Sequence, residues 1–230
     1  MRRSVLAVGA HIGDMDLAAG AVLAQLVLEG ANVTLVALTP GERGHPRLSP
    51  AEYKRQKVAE GEAFATAIGA DFMVLGHSEG FLPDTDEAAL ELATIIREKQ
   101  PDTVITHWKH SRLRDHVHAA RLTERARYLA DLPMDHELPR HAVRTFLYAE
   151  NAEDMESFEP SAYVPVPDEA FYRWVSAIRH QAFARGETDG FRYIDYYTAL
   201  MTMRGCLAGY PRACAFVDPK GPEVSKLAGP

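Results

Sequence analysis

The chain of 230 residues carries 25 Lys and Arg against 32 Asp and Glu, a net charge of −7, and 47% of its residues are hydrophobic. That fits one ordinary globular domain. Residues 150–172 hold seven acids and no Lys or Arg, so the rest balances at 25 against 25, without the basic footprint of a nucleic-acid binder.

Short β-branched runs alternate with longer helical spacings over the first 130 residues, the signature of βαβ units and a parallel sheet. A strand is expected at 4–9, then a helix over 16–29 that is apolar nearly all round and ends at Gly30. A second strand spans 33–38. Ser49-Pro50-Ala51-Glu52 reads as a capping box with proline at the first helical position, opening a helix that runs to Ile68 and stops at Gly69. A third strand at 72–75 precedes a helix announced by Asp84 and Glu87. A fourth strand at 103–106 is followed by an eight-residue loop and a helix over 115–130. Beyond that point the alternation fades. Strands are expected at 143–149 and 162–166 with an acidic loop between them, helices around Phe171 to Ile178 and Tyr193 to Met203, and a loose tail from Asp218.

No apolar run approaches the roughly 18 residues needed to cross a bilayer, and the N-terminus lacks a signal-peptide core. A cytoplasmic address without membrane partners is expected. Cys206 and Cys214 suit neither a disulfide framework nor a Cys-based zinc site, and both read as packing residues.

The histidines are informative. His11 follows the first strand with Asp14 three residues on, and His107, His110, His116 and His118 fall in one twelve-residue window after the fourth. In a doubly wound sheet ordered 3-2-1-4 those two strands are neighbours and open a crevice at their C-terminal ends. Two imidazoles and a carboxylate converging there suit a divalent metal of the zinc type with an open position. Each residue has a plainer reading beside this one. Asp14 and Asp115 stand where helix N-caps belong, His107 fits a core histidine, and His110 and His118 fit solvated positions. A dinucleotide fingerprint, a P-loop lysine and a G-x-S-x-G elbow are absent. Residues 41–57 and 109–127 are rich in Lys and Arg, which predicts a positive crevice rim or ordinary helix-surface charge.

Residues 8–20, V-G-A-H-I-G-D-M-D-L-A-A-G, resemble the first motif of the PIG-L/LmbE-like deacetylases, written A-H-P-D-D and followed by a helix. Residues 101–108, P-D-T-V-I-T-H-W, with Arg114-Asp115-His116, resemble the second, P-D-x-V-x-T-H leading to H-P-D-H. Weaker echoes lie at 75–82, at Arg204-Gly205 and at 210–216. The likeness covers the first 130 residues well and 131–230 loosely, and reads as a single domain over 1–230. It implies an α/β, Rossmann-like three-layer sandwich with a mostly parallel sheet and a metal site at the C-terminal ends of strands 1 and 4. It also implies a zinc-dependent hydrolase that removes acetyl groups from N-acetylglucosamine-type amides, with His11, Asp14 and His116 as ligands.

Two positions depart from the pattern. The family's general base, the first Asp of A-H-P-D-D, is Gly13 here, and the first His of H-P-D-H, associated with polarising the amide, is Leu113. A lost base typically lowers the rate about 10²–10⁴-fold. Asp16 and His110 are candidate substitutes, and Asp115 keeps its family position as an orienting residue.

The resulting expectation is a hydrolase acting on a small-molecule N-acetylated sugar or sugar conjugate, with Arg43 and Lys109 as candidates to hold hydroxyls or an anionic group. The alternatives are a catalytically silent relative that keeps the crevice for binding or regulation, or a hydrolase of an ester bond. A homo-oligomer is left open. The acidic segment reads as a solubilising loop, or as a lid bringing Glu153 or Asp154 to the site.

Overall fold

The computed structural model describes residues 2–134, 136–152 and 157–219. Its strands are β1 (Ser4–His11), β2 (Asn32–Thr39), β3 (Asp71–Val74), β4 (Thr103–His107), β5 (Thr145–Ala149), β6 (Ala162–Pro165) and β7 (Ala213–Val217). They form one sheet ordered β3-β2-β1-β4-β5-β7-β6. β1 pairs in parallel with both β2 and β4, so Val5 lies between Val33 and Thr103. The doubly wound arrangement expected from the alternation is therefore present.

Alternation along β1 divides the core into two layers. Val5 and Ala7 pack with residues of α2 (Gly20–Leu28), α3 (Pro50–Ile68), α6 (Asp168–Ile178) and α7 (Tyr193–Ala208). Leu6 and Val8 pack on the other face with α4 (Asp86–Lys99) and α5 (Arg114–Asp131). Both faces of the parallel strands are thus covered, which is why they read as continuous apolar runs. The capping box at Ser49 forms as expected, and Gly69 ends α3 at φ +86°.

The helix expected over 16–29 is instead two. Following α1 (Asp14–Ala18), the chain breaks at Ala19 before α2 begins. The Asp16 carbonyl accepts the indole N–H of Trp174 at 2.7 Å, and a side chain at Gly20 would lie 2.7 Å from Cδ1 of the same indole. A tryptophan from α6 occupies the break.

The last strand, β7, was hidden by its position between a glycine-capped helix and the tail. It pairs antiparallel with β5 and β6, so the sheet is parallel through β5 and antiparallel at that edge. Cys214 is buried on this strand, but Cys206 is exposed, which corrects its reading as a packing residue. Glu153 and Asp154 lie outside the described residues, as does the tail beyond 219. Among the described residues, no helix is long and apolar enough to cross a membrane.

Candidate metal centre

Three segments converge at the C-terminal ends of β1 and β4. β1 ends at His11, the turn passes through Gly13 at φ +106°, and Asp14 opens α1. His116 lies in the first turn of α5. One ligand atom from each of His11, Asp14 and His116 lies within 4.8 Å of the others. The sequence separation of about a hundred residues is closed by the β1·β4 pairing alone.

The Asp14 carboxylate is the hub. Its Oδ2 accepts the His11 backbone N–H at 2.7 Å and lies 3.4 Å from Nδ1 of His11, 3.0 Å from Nε2 of His107 and 3.6 Å from Nε2 of His116. The residue that caps α1 is Gly13, not Asp14. Asp14 therefore serves the histidines, and the capping reading falls. The same holds for Asp115: Leu113 occupies the N-cap of α5, while Asp115 Oδ2 accepts the Gly80 N–H and contacts Nε2 of His11 at 3.3 Å.

Burial works to raise the Asp14 carboxyl's pKa, but His116, His11 and His107 outweigh it and hold the group well below the usual carboxylate range. Burial likewise opposes charge on His11, yet Asp14 and the hydrogen bond to Asp115 raise its pKa to about 10. A partly buried, ionised carboxylate ringed by imidazoles suits a cation, and one oxygen with two imidazole nitrogens is a donor set suited to a divalent transition metal. The Oδ1 atom of Asp115 is buried without a partner. The residues present fit a metal.

His107 is fully buried. Its ring stacks on His116 with centroids 4.0 Å apart and its Nδ1 pairs with Asn151 at 2.8 Å. It is both a core histidine and a neighbour of the triad.

The triad faces a cleft of about 170 Å³. The other expected site residues lie outside its lining. Asp16 is buried with its carboxylate on Gln181. Exposed His110 rests its ring edge on Trp108, and Lys109 places its ammonium 5.5 Å from the centroid of that same indole. Arg43 sits over the Phe81 ring. Nor is a positive rim what lines the cleft: among the described residues Lys57 is its one Lys or Arg, beside Glu79 and Asp189. Sequence reasoning missed Lys57, Gln181 and Phe183. The latter two come from a helix-to-helix connection that carries no motif.

Position 13 explains why the usual base cannot stand there. A Cβ on Gly13 would lie 2.6 Å from Cε1 of Phe183 and 3.1 Å from Oε1 of Gln181, at a backbone angle that L side chains rarely adopt. The space is filled, not vacant.

The family model for PIG-L, the GlcNAc-PI de-N-acetylases, matches residues 6–127. A 1D-myo-inositol 2-acetamido-2-deoxy-alpha-D-glucopyranoside deacetylase of Thermomonospora curvata is 32% identical over 163 residues, covering 57% of this chain and 54% of that relative. The chain thus spans about half the length of several curated relatives it matches. Longer coverage is found with a protein of the same name from Acidothermus cellulolyticus, 30% identical over 85% of this chain and 68% of its own. Among solved structures, the 4-carboxy-2-hydroxymuconate hydratase GalB of Pseudomonas putida KT2440 superposes with a TM-score of 0.84, covering 96% of this chain and 98% of its own, at 21% identity. That likeness concerns the fold. Motifs, triad and matched span together place this chain in the PIG-L, GlcNAc-PI de-N-acetylase, family.

Proposed function

We propose that the protein is a zinc-dependent amide hydrolase that removes the acetyl group from an N-acetylated sugar or sugar conjugate. The observation that carries this reading is the convergence of His11, Asp14 and His116 at the mouth of a cleft of about 170 Å³. The activity for which the relatives are named, deacetylation of an acetamido sugar, supports the choice of bond.

Zinc held by the triad supplies Lewis acidity toward the amide carbonyl and activation of water. The chain's own residues do the rest. Asp115 fixes the orientation of the His11 ring, and Asn151 fixes that of His107. Since Phe183 fills the space at Gly13, the proton must be handled elsewhere. Of the lining carboxylates outside the triad, Glu79 is the one whose charge acts on His11. It is therefore adjacent to the site, and we assign it the proton transfer. Asp16 and His110 are not among the residues that line the cleft and have no direct part in this scheme.

Acetate release from a panel of N-acetylated sugars by zinc-loaded protein tests the reading. Turnover on at least one sugar, lowered about 10²-fold or more in Glu79→Gln, is expected. Stoichiometric zinc with no acetate from any of them would overturn it.

The packing of Phe183 against Gly13, with Leu113 in place of the histidine, favours one second reading. In it the crevice binds a ligand without hydrolysing it, and Glu79→Gln alters neither affinity nor any turnover.

A further inference from the structure

Lys57 is 4% exposed, yet its side chain lines the cleft. Its ammonium donates one long hydrogen bond, 3.5 Å to Oε1 of Gln181, and lies 3.9 Å from the centroid of the Phe183 ring. Those are its partners among the described residues. An ammonium has three donors, and a buried charge is normally paired. One hydrogen bond at the limit of length and a ring face leave this one underserved.

The carboxylates that face Lys57 act on it only from a distance: Asp14, Asp16, Glu60 and Glu79. Asp16 is kept off by Gln181, whose Nε2 donates to Asp16 while its Oε1 accepts from Lys57. Asp14 is committed to three imidazoles. Burial lowers the Lys57 pKa to about 8, against the pull of Asp14 and Asp16. With its protein partners accounted for, the open side of the ammonium is the cleft.

The geometry also limits how far that open side lies from the triad. A Cβ at Gly41 would sit 3.2 Å from Cβ of His11 and 3.7 Å from Cε of Lys57, so the two side chains flank a single residue's width. A ligand group on Lys57 therefore belongs to the same small unit as the group on the triad.

We propose that the cleft recognises a small acidic ligand, whose carboxylate or phosphate seats on the Lys57 ammonium while its reacting group faces His11, Asp14 and His116. A neutral hydroxyl would supply an acceptor but leave the buried charge uncompensated. If the deacetylase reading holds, the substrate class is an acidic N-acetyl monosaccharide. That clause rests on the reading above, whereas the anion site stands without it.

The test is calorimetric binding to zinc-loaded protein of N-acetylglucosamine, N-acetylglucosamine 6-phosphate and N-acetylmuramic acid, with acetate release followed in parallel. The acid-bearing probe matching the site is expected to bind about tenfold or more tightly than the neutral sugar, and the phosphate and carboxylate arms identify which anion fits. Lys57→Gln should abolish the difference between acidic and neutral probes, and Lys57→Arg should retain part of it. Lys57→Met, which keeps the apolar stem, reports the same loss should Lys57→Gln fold poorly, and the wild-type comparison decides alone if both do. Equal binding of acidic and neutral probes, or an acidic preference that survives in Lys57→Gln, would overturn the proposal. An acidic preference without acetate release upholds the anion site and defeats the deacetylase reading; acetate release with no acidic preference does the reverse.

Discussion

Nε2 of His11 lies 3.3 Å from Oδ2 of Asp115, across 104 residues of sequence. With that nitrogen engaged by a carboxylate, the ring presents Nδ1 on the side of Asp14, 3.4 Å away. A carboxylate behind a ligating imidazole sets its tautomer and raises its basicity. We therefore assign Asp115 a positioning role, and its Gly80 contact ties the loop between β3 and α4 to the same arrangement.

Replacing Asp115 with Ala should weaken zinc binding about 10–100-fold while leaving the fold intact. Chelator competition measures it. Affinity equal to wild type would show that His11 needs no such support.

Gly13→Asp should not restore a base. The substitution places a side chain against Phe183 at a positive φ, and overpacking of this kind lowers stability by about 1–3 kcal/mol. Urea unfolding of Gly13→Asp and Gly13→Ala should show that loss, with part of it recovered when Phe183→Ala opens the space. A stable Gly13→Asp with raised activity would contradict the steric account.

Much of the candidate site was legible because the convergence of His11, Asp14 and His116 depends on only two facts that sequence carries well. One is the βαβ alternation, which makes β1 and β4 neighbours. The other is the pair of chemistry-bearing turns at His11–Asp14 and Asp115–His116. What escaped was what comes from elsewhere. Phe183 and Gln181 sit in a connection after α6 with no periodicity, and they reach position 13 only through the packing of α6 on α2 and α3. Lys57 looked like one charge in a basic helix, because spacing on α3 does not show which face meets a cleft. Asp16 looked close to the lost base in sequence, but its side chain points into the Gln181 layer beneath.

Burial raises the Asp16 pKa from 3.8 to about 7, against the pull of Lys57. A carboxyl whose folded-state pKa is raised contributes stability below its unfolded value, and that contribution is lost as pH rises through the folded one. Stability should therefore decline between about pH 4 and pH 7 on this group's account. Asp16→Asn should flatten the slope, with its advantage over wild type larger at pH 8 than at pH 5. An unchanged slope in urea denaturation would contradict the assignment.

The C-terminal part is held to the sheet by an ion pair between partly buried Arg204 and buried Glu150, and by the close approach of Gly205 to the Arg212 backbone. A Cβ at Gly205 would lie 2.7 Å from Cα of Arg212. Arg204→Met leaves Glu150 buried without its partner and should lower stability by about 3–5 kcal/mol. Gly205→Ala should lower it by about 1–3 kcal/mol through overpacking. Thermal melting that is unmoved in both would show that this end does not depend on the pair or on the contact.

The most direct test of the metal centre is a zinc titration of metal-free wild type beside His116→Ala, read by calorimetry. One equivalent bound tightly by wild type and the loss of that binding in His116→Ala is the predicted result. Wild type and variant taking up zinc alike, or neither taking it up, would contradict the centre assigned to His11, Asp14 and His116.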